Sequence, residues 1–150
     1  MAPSTAAPDY ASTIVKYRAL SELADRTIDR TVSAASEDGL AQAQIAQMLD
    51  VSQAAVSKRL SKAERVPEQD SPYDVALRYR AGEMDQQEML ALLIGWDYKP
   101  RPSGLDEQMV DVAGSLDEVI RANDRGFLSD DEYRTILLGI QARTQQPPVR

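Results

Sequence analysis

The segment from Ala41 to Glu64, AQAQIAQMLDVSQAAVSKRLSKAE, constrains the fold more than any other part of the chain. It carries one short apolar stripe before a turn and a second one after it. The stripes consist of Ile45, Ala46 and Leu49, and of Val56, Leu60 and Ala63. Apolar residues at steps of three and four lie on one face of a helix. The segment therefore predicts two short helices that pack on each other.

The residues around the predicted turn favour it. Asp50 tolerates the left-handed backbone conformation that a tight turn between two helices needs. Ser52 is placed to cap the second helix, because its side-chain oxygen can accept hydrogen bonds from the first backbone amides. Ala46 is small enough to let the two helices cross closely. Ala41 has no side-chain oxygen to cap the first helix, which weakens one helix end.

This pattern resembles the helix-turn-helix of many bacterial repressors and of the DNA-binding region of sigma factors. The resemblance covers roughly residues 20–66. It implies that a preceding helix completes a three-helix core and that Gln42–Ser61 binds DNA. The sequence departs from the family at Asp50, where glycine is usual, and at Ala41, where serine or threonine is usual. The alternative is a three-helix core with no role in DNA binding.

The outward face of the second predicted helix suits the major groove of DNA. Successive helical residues are rotated by about 100°, and the side opposite the apolar stripe carries Ala54, Lys58, Ser61 and Arg65, flanked by Ser57 and Lys62. This face has no acidic and no large apolar residue. The first turns of a recognition helix meet base edges. We therefore expect Gln53 to contact adenine, Lys58 guanine, Ser57 either base and Ala54 a thymine methyl group.

Other residues of this region are expected to hold the DNA backbone. Those expected to neutralise phosphates are Arg59, Lys62 and Arg65, and those expected to bind the backbone from the preceding helix are Gln42 and Gln44. Ser52 and Ser61 complete the candidate DNA-binding set. For each residue, an ordinary solvated surface role is the alternative.

The base and backbone contacts predict different effects of substitution. Replacing Lys58 or Gln53 by alanine is expected to change which sequences are preferred. Replacing Arg59 or Lys62 is expected to weaken binding to all duplexes alike, because a phosphate contact carries no sequence information.

Charge is distributed unevenly along the chain. Residues 1–66 carry eight basic and eight acidic side chains, whereas residues 67–150 carry nine basic and sixteen acidic ones and account for the net charge of −7. Within Val51–Val66, four basic residues accompany one acidic residue, a local charge of +3. So small a basic patch predicts modest, salt-sensitive affinity of one copy for DNA. Two copies are therefore expected to act together as a homodimer.

The composition excludes most kinds of catalytic site. The chain has no cysteine and no histidine, which removes thiol nucleophiles, Ser-His pairs and the usual zinc sites. Asp130, Asp131 and Glu132 form an acidic run, but a helix dipole favours such residues in its first turn, and the ligand spacing of a hard-cation site is missing. The sequence therefore predicts no enzymatic activity, no cofactor and no metal.

Composition also indicates the fold class. Ala, Leu, Gln, Glu and Arg are abundant, β-branched runs are few, and there is one Phe and one Trp, so we expect an all-α protein. No segment approaches the roughly 20 apolar residues that span a bilayer, and the N-terminus lacks a basic start followed by an apolar stretch. A soluble cytoplasmic protein with no membrane partner is expected.

Four segments are expected along the chain: a disordered arm over residues 1–10, a helix-turn-helix domain over 11–66, an acidic helical dimerisation or interaction region over 67–143, and a tail over 144–150. Apolar spacing predicts one long helix or two abutting helices over Ala11–Ser36, ending at Gly39. A fragment ending near Glu68 is expected to fold alone, because the first three apolar stripes close on one another.

The second half contains a weak internal repeat with a period of 44 residues. Its main matches pair Gly82, Met84, Asp85 and Glu88 with Gly126, Leu128, Ser129 and Glu132. Each copy predicts a helix, a glycine stop, an apolar anchor, a capping box and a second helix. Two helical hairpins are expected, with a further helix within Leu105–Ala113. Trp96 and Tyr98 are expected to pin the joint between the hairpins to the core, whereas an exposed pair would instead indicate a contact site.

The second copy of the repeat also resembles the short helical C-terminal modules that many bacterial proteins use for oligomerisation or partner binding. Two adjacent, well-capped helices are the alternative. The apolar rows expected to supply the dimer surface, or else to pack on each other, are Met89, Leu92 and Leu93, and Tyr133, Ile136 and Leu137.

These features together predict a sequence-specific regulator of transcription that binds double-stranded DNA, a repressor more readily than an activator. One alternative is an antitoxin or adaptor whose acidic half binds a basic protein partner. A phage or plasmid accessory factor that marks DNA is the other.

Overall fold

The computed structural model describes residues 7–100 and 112–145. This part of the chain contains seven α-helices and no β-strand, which confirms the all-α fold class. The helices are α1 (Tyr10–Glu37), α2 (Gln42–Leu49), α3 (Gln53–Ala63), α4 (Pro72–Arg80), α5 (Gln86–Ile94), α6 (Asp117–Asp124) and α7 (Asp130–Gln145). None of these described helices is long and apolar enough to cross a bilayer.

Parts of three predicted segments lie outside the described residues. They are residues 1–6 of the predicted arm, residues 105–111 of the helix expected within Leu105–Ala113, and residues 146–150 of the predicted tail. The described ends of the arm and the tail are helical in part, because α1 begins at Tyr10 and α7 continues to Gln145.

Helix α1 is one unbroken helix of 28 residues. It begins where Asp9 Oδ1 accepts a hydrogen bond from the Ser12 amide at 3.0 Å, and the chain leaves it through Gly39, whose φ of +94° suits a residue without a side chain. Its buried residues Leu23 and Val32 are nine positions apart, so they face directions about 180° apart at 3.6 residues per turn. The two ends of α1 therefore pack against different parts of the protein.

The smaller of two apolar clusters lies between the second half of α1, α2 and α3. Its buried residues are Val32, Ile45, Ala46 and Val56. The turn from α2 to α3 has the predicted conformation, with Asp50 in the left-handed region at φ 56° and ψ 48°. Ser52 caps α3 as predicted, since its Oγ accepts from the Ala55 amide at 3.1 Å. The Asp50 turn and the Ser52 cap thus set the direction of α3 relative to α2.

The larger cluster joins the first half of α1 to α4–α7. It is built around Tyr73, Leu77, Met89, Leu93, Phe127 and Ile136, all fully buried. Of the apolar rows considered for dimerisation, Met89, Leu93 and Ile136 are therefore inside the protein, and the two rows pack on each other through α5 and α7. Trp96 and Tyr98 pack against this cluster, and the Tyr98 hydroxyl donates to the Leu93 carbonyl at 2.5 Å, as the predicted pinning of that joint requires.

The 44-residue repeat appears as two hairpins, α4–α5 and α6–α7. Their turns contain Gly82 and Gly126, with φ of +89° and +85°. The second hairpin has a complete capping box, in which the Glu132 amide donates to Ser129 Oγ and the Ser129 amide donates to Glu132 Oε1. The hairpins pack side by side, α4 against α6 and α5 against α7. The repeat is thus a structural duplication as well as a sequence pattern.

A buried carboxylate links the two halves of the chain. Asp74 on α4 is fully buried and accepts hydrogen bonds from Arg26 Nε at 2.8 Å and Arg30 Nη2 at 2.6 Å, both on α1. The Ser71 amide and hydroxyl also donate to it, each at 2.8 Å. Asp74 therefore fixes α4 to the middle of α1.

Candidate nucleic-acid interface

Helix α3 presents one uncovered polar side. Val56 and Ala63 face the protein interior. The candidate residues Ser52, Gln53, Ala54, Ser57, Lys58, Ser61, Lys62 and Arg65 are exposed. The structure therefore brings most of the residues singled out in the sequence onto, or next to, one accessible helix.

The start of α2 contributes two further candidate side chains. Gln42 and Gln44 are both exposed in its first turn. Gln44 Oε1 accepts a hydrogen bond from the Ala41 amide at 3.0 Å. This bond supplies a partner at the helix end that the sequence leaves without a serine or threonine cap. Of the two glutamines, only Gln42 has no hydrogen bond of its side chain to a described residue.

Two of the four basic residues of this region are engaged by α1. Arg59 Nη1 donates to Asp25 Oδ1 at 2.8 Å and to Asp29 Oδ1 at 2.7 Å. Lys62 Nζ donates to Asp25 Oδ2 at 2.5 Å and lies 3.6 Å from Asp29 Oδ2. Because Asp29 is fully buried, these pairs hold the end of α3 against α1.

The electrostatics of this cluster match its geometry. The hydrogen bond from Lys62 lowers the pKa of Asp25, with further hydrogen bonding from Arg59, and outweighs the opposing effect of burial. The hydrogen bond to Asp25 is also the main cause that raises the pKa of Arg59 and of Lys62. All three groups are held in their charged forms at neutral pH, and the positive charge of Arg59 and Lys62 is compensated within the protein.

Lys58 and Arg65 differ from this pair. Neither side chain forms an ion pair or a hydrogen bond with any residue that the structure describes, and both residues are exposed. An unpaired cation on a helix surface is available to a negatively charged ligand at little cost, since no internal bond has to be broken. The uncompensated positive charge of this surface therefore rests on Lys58 on α3 and on Arg65, which lies in the turn after the end of α3 and not on the helix as the sequence predicted.

The sequence pattern does not identify Asp25 and Asp29 as partners of α3. Their four-residue spacing places both carboxylates on one side of α1, which is the one local signal that they act together. The described residues contain no group of three or more acidic side chains arranged to hold a metal ion.

Comparison of the chain with models of known protein families gives no match. Comparisons with curated proteins and with solved structures give no match either. The candidate interface therefore has to be judged on its own geometry and chemistry.

Proposed function

We propose that this protein binds double-stranded DNA sequence-specifically, with α2 and α3 acting as a helix-turn-helix, and that it regulates transcription. The observation that carries the proposal is the exposed side of α3. It begins at a capped helix start, has no acidic residue along Gln53–Ala63, and bears amide, hydroxyl and ammonium groups. Such groups recognise base edges in the major groove.

The proposed contacts fall into two groups, contacts with bases and contacts with phosphates. Gln53, Ser57 and Lys58, in the first turns of α3, contact base edges, and Ala54 packs on a thymine methyl group. Arg65 and Gln42 bind phosphates from either side. Arg59 and Lys62 act indirectly in this proposal, since their bonds to Asp25 and Asp29 set the position of α3 on α1.

The proposal is tested first by selecting bound sequences from random duplex DNA. Binding of the enriched duplex and of a random duplex is then measured by fluorescence anisotropy at several salt concentrations. We expect Lys58→Ala to weaken the binding free energy for the enriched duplex by about 1–3 kcal/mol. The protein's preference for this duplex over random DNA should fall accordingly. We expect Arg65→Ala to weaken binding to both duplexes alike. The slope of log affinity against log salt concentration should decrease in magnitude by about 1.

A matched control removes one exposed positive charge elsewhere. Arg134 on α7 has a side chain that is 72% exposed, and its one ion pair with a described residue is a 3.8 Å pair with Asp131. Arg134→Ala should leave both affinities unchanged. The absence of any enriched sequence would contradict the proposal. So would equal losses for Lys58→Ala, Arg65→Ala and Arg134→Ala, because binding would then follow net charge alone.

A further inference from the structure

The two carboxylates of α1 that hold the end of α3 differ in burial. Asp29 is fully buried, whereas the side chain of Asp25 is 40% exposed. Arg59 Nη1 donates to both of them, at 2.7 Å to Asp29 and at 2.8 Å to Asp25. Lys62 Nζ donates to Asp25 at 2.5 Å and lies 3.6 Å from Asp29. Without Asp25, Arg59 would keep a buried partner, whereas Lys62 would lose its one hydrogen bond to a described residue.

Lys62 lies on the side of α3 that is proposed to face DNA. It follows Lys58 by four residues, so the two side chains lie on the same side of the helix about one turn apart. The first turns of a recognition helix meet base edges, which leaves the last turn to the sugar-phosphate backbone. The side chain of Lys62 is 57% exposed, and its flexible stem allows the ammonium group to move. To reach a phosphate, this ammonium group has to leave Asp25.

We propose, resting on the proposed function, that Asp25 competes with DNA phosphates for Lys62 and thereby limits the affinity of the protein for every duplex. The charges of Arg59 and Lys62 are balanced by those of the two carboxylates, so the last turn of α3 offers DNA no net positive charge. A phosphate contact carries no sequence information. Asp25 therefore reduces affinity without changing sequence preference, and binding depends more on the base contacts of the first turns.

The proposal is tested by measuring how Asp25→Asn in the full chain binds the enriched duplex and a random duplex, by fluorescence anisotropy at several salt concentrations. We expect both duplexes to be bound about three- to eightfold more tightly at about 0.1 M salt, because one phosphate contact is added. The slope of log affinity against log salt concentration should increase in magnitude by about 0.9. Loss of structure around α3 would weaken binding, so it cannot produce this gain.

Three further variants separate charge from shape and position. Asp25→Ser removes the same charge and should give the same gain, whereas Asp25→Glu keeps the charge and should bind as the wild type does. Circular dichroism should show unchanged helix content in all of them, because Arg59 keeps its bond to Asp29. The matched control is Glu83→Gln. Glu83 is 45% exposed and accepts from Arg78 at 2.9 Å, and its substitution should leave both affinities unchanged.

Two measurements show whether Asp25 acts through Lys62. In a Lys62→Ala background, Asp25→Asn should give a much smaller gain in affinity, because the ammonium group that reaches the phosphate is missing. Without DNA, an NMR titration should show that Asp25→Asn lowers the pKa of Lys62 toward its ordinary value, because the hydrogen bond to Asp25 is the main cause that raises it.

Unchanged affinity of Asp25→Asn for both duplexes would overturn the proposal and would indicate that Lys62 turns to Asp29 instead. An equal gain in the Lys62→Ala background would also overturn it, because the effect would then follow from the removed charge alone. Both outcomes leave the proposed function intact if the wild type enriches a sequence. If the wild type enriches none, the proposed function is contradicted, while a Lys62-dependent gain on random DNA would still support the competition. A wild type and an Asp25→Asn variant that bind no duplex would overturn both.

Discussion

At the residue scale, Asp74 is the most consequential side chain outside the candidate interface. Burial by itself would raise the pKa of this carboxyl. Hydrogen bonds from Arg26 and Arg30, with the charge of Arg26 and the Ser71 amide, outweigh burial and hold the pKa well below its ordinary value. The ionised form is therefore the one that stabilises the fold, and it does so at the contact between α1 and α4.

This pKa shift predicts acid sensitivity with a definite sign. The unfolded chain has an Asp pKa of about 3.9, and the folded value is lower, so the stabilisation is fully present above the unfolded pKa. It is lost as pH falls from about 5 downward through the folded pKa. We expect Asp74→Asn to lower the free energy of unfolding at pH 7 by about 3–5 kcal/mol. Denaturant titrations from pH 7 to pH 3 should show a shallower acid loss in this variant than in the wild type.

Asp70 provides the control for this measurement. It also pairs with arginines, Arg78 at 3.0 Å and Arg30 at 4.0 Å, but its side chain is 49% exposed. Exposed ion pairs contribute about 0–1 kcal/mol, so Asp70→Asn should behave nearly as the wild type. Equal effects of the two substitutions would show that burial of Asp74 does not determine its contribution.

At the element scale, the contact between α5 and α7 depends on a glycine, Gly139, at the point where the two helices meet. A Cβ built on Gly139 would lie 2.6 Å from Ile94 Cδ1 and 2.8 Å from Ile94 Cγ1. Real Cβ atoms do not approach other carbons this closely. Gly139 therefore lies within α7 because it lets α5 come near, although glycine is otherwise unfavourable inside a helix.

We expect Gly139→Ala to destabilise the protein by about 1–3 kcal/mol, because Ile94 is forced from its position. In an Ile94→Ala background the clash is gone, and the same substitution should be neutral or stabilising by up to about 1 kcal/mol through helix propensity. A double-mutant cycle from chemical denaturation measures the difference. Additive effects of the two substitutions would contradict the proposed clash.

The elements that sequence predicts best are those with local signals. The groups that Ser52 and Ser129 cap lie three residues away, so spacing alone identifies these helix starts. Arg59 and Lys62 bind carboxylates 30–37 residues away, and no local pattern reports which side of α3 meets α1. The helical pattern therefore predicts that most candidate interface residues are exposed. It does not predict the ion pairs that Arg59 and Lys62 form with α1.

At the scale of the whole molecule, α1 belongs to both apolar clusters. Its residues Ala19 and Leu23 are buried with α4–α7, and Val32 is buried with α2 and α3. Neither cluster is complete without its own part of this helix. A change in the stability of one end of α1 is therefore expected to affect both clusters, because they share this helix.

This sharing gives an expectation for a fragment of residues 1–68. Such a fragment would expose Ala19 and Leu23 and leave Arg26 and Arg30 without Asp74, while the cluster around Val32 and Ile45 would remain. We expect it to keep α2 and α3 folded but to melt at a lower temperature than the full chain, with the first half of α1 frayed. Circular dichroism and proton NMR measure both properties. A fragment as stable as the full chain would show that α1 does not couple the two clusters.

Leu23 and Val32 face directions about 180° apart around α1, and this angle depends on the number of residues between them. One residue inserted between them would turn α2 and α3 by about 100° around the axis of α1 and move them 1.5 Å further from α4–α7. Insertions in the turns between hairpins leave that angle untouched. The number of residues from Leu23 to Val32 therefore sets the direction in which α3 faces, and an insertion in this stretch of helix turns α3 in a way that an insertion in a loop does not.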